Sequence, residues 1–128
     1  MCTRLDWACV MNSDAKGRLA EWIAALFLTV KGYRILTLRY KTKVGEIDLI
    51  TKRGKTLVFV EVKKRKTRDD ALCAISPASQ KRIHRAAEHF LSHHTKLASS
   101  LQTQDLDLRF DVIAIANYHT IHHLENAF

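Results

Sequence analysis

Residues 45–63, GEIDLITKRGKTLVFVEVK, constrain the fold of this chain more than any other stretch. Two runs rich in β-branched and aliphatic residues, 47–51 and 56–62, flank a short basic link, Lys52-Arg53-Gly54-Lys55. Such a pattern predicts a β-hairpin. Glu46, Asp48 and Glu61 fall in or against those runs, among Ile47, Leu49, Val60 and Val62. Carboxylates there are costly unless paired, hydrogen-bonded or bound to a metal. Parity decides their fate, because strand residues two apart share a face. An even turn, such as Arg53-Gly54 alone, sets Asp48 level with Phe59 and diagonal to Glu61, and gathers both acids with Lys63 on one face. An odd loop scatters them.

Two hard carboxylates on one face favour oxygen-loving cations, Mg²⁺ or Mn²⁺. A cation of that kind offsets charge on a phosphate oxygen and lowers the pKa of a bound water. Asp48 and Glu61 are then the ligands, and Lys63 lies beside the water. The competing reading is a salt-bridged hairpin, with Lys63 and Lys43 neutralising Glu61 and Asp48.

The surroundings of this hairpin are basic. Twenty-one Lys and Arg against thirteen Asp and Glu give a formal charge of +8 over 128 residues, a balance that points to polyanions, nucleic acid first. Lys64, Arg65, Lys66 and Arg68 emerge from the end of the strand carrying Glu61, and Lys81, Arg82 and Arg85 line one side of a later helix. Both segments suit phosphate contacts, or simply a solvated surface. Cys2, Cys9 and Cys73 lack the number and spacing of a disulfide framework or a zinc site, which suits a reducing cytoplasm. The apolar runs are too short to cross a bilayer, so a cytoplasmic protein with no membrane partner is expected.

At this length one domain is expected, 14–128, behind an N-terminal extension, 1–13, in which Trp7 packs onto the domain. A helix is predicted over 15–30, with Leu19, Trp22, Ile23, Leu26 and Val30 facing the core and Gly32 as its C-cap. Glu21 sits near its start, where the helix dipole favours an acid. A strand follows over 33–40. Ser76-Pro77 opens a second helix whose apolar stripe is Ile83, Ala86, Ala87, Phe90 and Leu91. Gln80 lies in its first turn. Residues 95–107 read as a flexible linker, 108–116 as a strand and 119–124 as a short last strand. His93-His94 and His119, His122, His123 lack the Cys or carboxylate spacing of a zinc site and read as exposed histidines.

Asp48 with Glu61-Val62-Lys63 resembles the D…ExK core of the PD-(D/E)XK nuclease superfamily. A wider pattern resembles the YraN family of small bacterial proteins: Gly17-Arg18 with Glu21, Gly32-Tyr33, residues 45–50, Phe59 to Lys63 with Arg65, Lys81, Arg109 to Val112, and Asn126-Ala127-Phe128. That family is similar to Holliday-junction resolvases. The resemblance implies a restriction-endonuclease-like α/β/α domain: a helix, three antiparallel strands around a central hairpin, then a helix and a further strand. It implies that Glu21 completes the metal site, that Asp48 and Glu61 are ligands with the Val62 carbonyl, that Lys63 is the active-site lysine, and that Gln80 supports the site. The segment after Arg65 departs from the family pattern, with Asp69 to Cys73 where a glycine is expected. A metal-dependent endonuclease acting on DNA, extending to branched or structured DNA, is the expectation. The alternative is a nucleic-acid-binding protein that keeps the nuclease fold without turnover. A resolvase-type activity also calls for a homodimer.

Overall fold

The computed structural model describes residues 13–94, 106–117 and 120–128. Trp7, His119 and nearly all of the expected linker and extension lie outside these residues. The elements run α1 (Ser13–Val30), β1 (Arg34–Lys41), β2 (Glu46–Arg53), β3 (Thr56–Lys63), α2 (Arg68–Cys73), α3 (Pro77–His93), β4 (Asp107–Asn117) and β5 (Thr120–Leu124). The five strands form one sheet in the order β1-β2-β3-β4-β5. Neighbours are antiparallel except β3 and β4. A parallel pair needs a crossover, and α2 and α3 lie within it.

Alternation along β3 builds two cores. Val58 and Val60 join Ala20, Ala24, Ala25 and Leu28 of α1, with Leu49, Ile113 and Ile115. Leu57 and Phe59 join Ile83, Ala86, Ala87 and Phe90 of α3, with Ile47 and Ile50. Ala71 of α2 and Ile75 close over Val112, Ala114 and Leu124. The result is the expected α/β class in three layers, with α1 on one face of the sheet and α2 and α3 on the other.

The hairpin turn is even, but it is Gly54-Lys55, with Arg53 paired to Thr56. Gly54 takes φ +60, which a glycine adopts without a Cβ clash. The register therefore sits two residues from the expected one: Leu49 pairs with Val60, and one further step puts Asp48 opposite Glu61 rather than Phe59.

The helices divide into one correct reading and one inversion. Ser76 caps α3, its side chain accepting from the Ser79 amide with Pro77 next, and Ile83, Ala86, Ala87 and Phe90 are buried as expected. At the end of α1, Gly32 at φ +95 allows Gly32 N–H to Thr29 O and Tyr33 N–H to Leu28 O, satisfying carbonyls of the last turn. The buried face of α1 is the reverse of the expected one. Leu19, Trp22, Leu26 and Val30 are 47%, 62%, 67% and 81% exposed, while Ala20, Ala24, Ala25 and Leu28 are buried. Small alanines let the helix approach the sheet closely, and the larger side chains fall outside. Of the expected core positions, Ile23 alone packs against the core.

Helix α2 was not legible as an element among the acids after Arg68. Thr67 caps it by accepting from the Asp70 amide, and Asp69 and Asp70 fall in its first turn, where the helix dipole favours them.

Candidate functional site

Asp48 and Glu61 meet where the hairpin stops pairing through its backbone. The ladder ends at Leu49 and Val60, and the Val62 amide instead donates to Asp48 Oδ2 at 2.8 Å. The two carboxyls share a hydrogen bond. Lys63 Nζ lies 3.3 Å from Glu61 Oε1. The structure thus brings together Asp48, Glu61, Val62 and Lys63. Lys63 pairs with Glu61, while Asp48 takes a backbone partner in place of the lysine that a salt-bridged hairpin would supply.

The electrostatics follow from crowding acids in a poorly hydrated place. Burial, and after it the Asp48 charge, pushes the Glu61 carboxyl up to about 7, against the pull of Lys63. Burial also raises Asp48, opposed by the Val62 amide, Lys63 and the Glu61 hydrogen bond. Crowding the two acids therefore makes the pair easier to protonate than either carboxyl alone.

Glu21 reaches the same neighbourhood from α1 and is buried. Burial and the Asp48 charge raise its carboxyl as well, against Arg39. Its Oε2 lies 2.7 Å from Arg39 Nε. Among the described residues, no group of three or more His, Cys, Asp or Glu is arranged to hold a metal ion. Two acids converge, and the third is held by an arginine that the sequence reading did not single out.

The basic residues fall in two places. Lys64, Arg65 and Lys66 follow β3 directly and Arg68 opens α2. Arg65 turns back to donate to the Lys64 carbonyl at 2.7 Å. On α3, Gln80, Lys81 and Arg85 line one open groove with Pro77 and His84. Gln80 Nε2 lies 3.5 Å from the Ile75 carbonyl. His84, one of the lining residues, stacks on Phe110 with ring centroids 4.0 Å apart. Arg82 does not line this groove, and its backbone meets the loop before β2. A Cβ on Gly45 would overlap the Arg82 carbonyl, which is why glycine stands there. Thr42 completes that loop, accepting from the Val44 and Gly45 amides.

A second polar cluster escaped the sequence reading. Asp111, fully buried, accepts two hydrogen bonds from Arg109 at 2.8 Å, one from His123 at 2.7 Å and one from the Asn126 amide at 3.0 Å. Arg109 also donates to Tyr33 Oη at 2.6 Å. Burial raises the Asp111 carboxyl, but the bonds from His123, Arg109 and Asn126 together hold it below its ordinary value. His123 is therefore no surface histidine, since its side chain is 4% exposed. The alternation of Arg109 and Asp111 in a strand was the available signal. Their partners come from α1's end and from β5, which no local pattern links. Among the described residues, no helix is long and apolar enough to cross a membrane.

Residues 20–115, which contain Glu21, the hairpin and β4 as far as Ile115, match the model of "Uncharacterised protein family UPF0102". A UPF0102 protein of Caulobacter vibrioides is 48% identical over 112 residues, covering 88% of this chain and 85% of its own length. One from Sinorhizobium medicae is 43% identical, covering 88% of each chain. One from Parvibaculum lavamentivorans is 45% identical, covering 88% of this chain and 80% of its own. On a match that spans both carboxylates, the lysine and most of the sheet, the chain belongs to the uncharacterised family UPF0102, the YraN family whose motifs it carries.

Proposed function

We propose that this protein is a Mg²⁺- or Mn²⁺-dependent endonuclease that hydrolyses phosphodiester bonds in DNA, including branched or structured DNA, within the cytoplasm. The observation that carries the reading is the contact between the Asp48 and Glu61 carboxyls with Lys63 at 3.3 Å. The donor set fits a hard divalent cation. Two partly buried carboxylates held against each other have unmet demand for positive charge, and oxygen donors suit Mg²⁺ and Mn²⁺.

Asp48 and Glu61 would hold the cation, with the Val62 carbonyl as a further oxygen. When bound, the cation supplies Lewis acidity toward a phosphate oxygen and toward water. The Asp48–Val62 hydrogen bond keeps the carboxylate turned toward β3. Lys63 offers an ammonium beside Glu61, placed to orient the attacking water or to offset charge that develops on the phosphate. Lys64, Arg65, Lys66 and Arg68, and the α3 groove of Gln80, Lys81 and Arg85, supply phosphate contacts that position the strand without reading its sequence. Arg82 adds charge on the neighbouring face of the same helix. A homodimer would present two such sites to a symmetric junction.

The purified protein should be incubated with duplex, flapped and four-way DNA, with Mg²⁺ or Mn²⁺ and with chelator. Metal-dependent cleavage that disappears in Asp48→Ala and Glu61→Ala supports the reading. Salt-sensitive DNA binding that survives both substitutions, with no cleavage of any substrate, would replace it with a binding protein built on the nuclease fold.

A further inference from the structure

Arg39 stands in β1 directly across from Asp48, since Leu38 pairs with Leu49 and Tyr40 with Ile47. It takes φ +54 within a strand, a region that non-glycine residues adopt at a cost and that concentrates at functional positions. The consequence can be read in both strands. Leu38 and Leu49 pack with α1, whereas Tyr40 and Ile47 pack with α3. Regular alternation would put Leu38 and Tyr40 on one face. The left-handed residue breaks that alternation, sends Tyr40 to His89 and Phe90 on α3, and leaves Arg39 reaching Glu21 on α1.

We propose that Arg39 is a positioning residue that withholds Glu21 from the cation site, so that the folded site offers two carboxylates and gains a third only when the guanidinium is removed or displaced. The inference rests on the cation-site reading given above and adds a control on ligand number. Three observations converge on it. The Arg39–Glu21 pair is close, at 2.7 Å, and its carboxylate side chain is 12% exposed, so the pairing is shielded from solvent. Glu21 lies within the field of Asp48 and is thus near the acids it would join. No three-ligand arrangement exists among the described residues while the pair is made. Arg39 and Lys63 serve as built-in counter-charges, one for Glu21 and one for Glu61. A divalent cation must compete with the first of them to recruit Glu21.

The test is Mn²⁺ binding to the full chain by calorimetry, which needs no substrate and no turnover. Arg39→Gly keeps the left-handed backbone accessible and frees Glu21. It should bind Mn²⁺ about tenfold more tightly than the unsubstituted protein, the scale of one charge-assisted contact. That gain should vanish when Glu21→Gln is added, and Arg39→Lys, which restores a cation, should bind like the unsubstituted protein. The gain should also persist at high ionic strength, where a merely long-range charge effect is screened. Should Arg39→Gly fail to fold, Arg39→Asn carries the same comparison, because asparagine tolerates the same backbone. Unchanged or weaker binding in the variant, or a gain that survives Glu21→Gln, overturns the role of Arg39 and leaves the cation site standing. Absence of Mn²⁺ binding to the unsubstituted protein removes the cation site itself, and this inference with it.

Discussion

The Val62 amide donates to the Asp48 carboxylate at 2.8 Å, at the level where backbone pairing between β2 and β3 has already ended. A side chain thus takes over from the main chain in closing the hairpin. Asp48 has two duties there, completing the hydrogen bonding of Val62 and presenting a carboxylate to the proposed cation. The two can be separated.

Asp48→Asn keeps an amide oxygen for the Val62 N–H and removes the charge. We predict a fold within about 1 kcal/mol of the unsubstituted protein, because a net hydrogen bond is worth about that much and here it is retained. Mn²⁺ binding and any DNA cleavage should be lost. Asp48→Ala should lose both functions and also cost about 1–3 kcal/mol, since the Val62 amide is then left unpaired. Urea unfolding beside calorimetry measures the difference, and full Mn²⁺ affinity in the Asn variant would contradict the assignment.

Glu61 sets a pH dependence whose sign is fixed by its folded value of about 7, above its ordinary 4.5. Between those values the folded protein binds more protons than the unfolded chain, so stability falls as pH rises through that window. Glu61→Gln should flatten the slope. Saturating Mn²⁺ should reverse it, because the cation replaces the proton. Urea midpoints taken from about pH 5 to 8, with chelator and with metal, decide the matter, and a midpoint that climbs with pH in chelator would count against the coupled pair.

Asp111 behaves in the opposite sense. Its folded pKa is held below 3.8, so its contribution to stability is present above that value and is lost as pH falls through the folded value. Asp111→Ala leaves Arg109, His123 and the Asn126 amide without their shared acceptor. We predict a loss of about 3–5 kcal/mol at neutral pH, the usual cost of breaking a buried pair from one side. A loss below about 1 kcal/mol in urea unfolding would show that the cluster contributes little beyond an exposed ion pair.

The two faces of α1 make a direct contrast. Leu26, 67% exposed, should accept Leu26→Lys within about 0.5 kcal/mol. Leu28, fully buried, should lose about 2–5 kcal/mol as Leu28→Ala. Thermal melts of the two variants check this, and equal costs would show that the apolar stripe is covered in solution.

Some of this molecule could be read from residues in order. The hairpin, the helix that opens at Ser76-Pro77 and the glycine that ends α1 all follow from local chemistry, and the two acids with Lys63 were one of the two outcomes that turn parity allowed. Turn parity, capping and period-2 alternation act over a few residues, and the sequence contains all of them. Even the error of two in register left the acids together, because an even shift sets Asp48 opposite Glu61 in place of diagonal to it.

Tertiary structure decided what depends on distant partners. Helical periodicity identified apolar positions on α1 but not which of them the sheet would cover. The sheet favoured close approach through Ala20, Ala24 and Ala25 and left Trp22 and Leu26 outside. No local rule pairs Arg39 with Glu21, or Asp111 with His123 and Asn126, since those contacts join separate elements. Residues 45–63 allow two carboxylates to meet beside a lysine, and the even turn at Gly54-Lys55 makes them do so. Where the Glu21 carboxylate is held depends on Arg39 of the neighbouring strand, whose backbone is left-handed and whose guanidinium pairs with it at 2.7 Å.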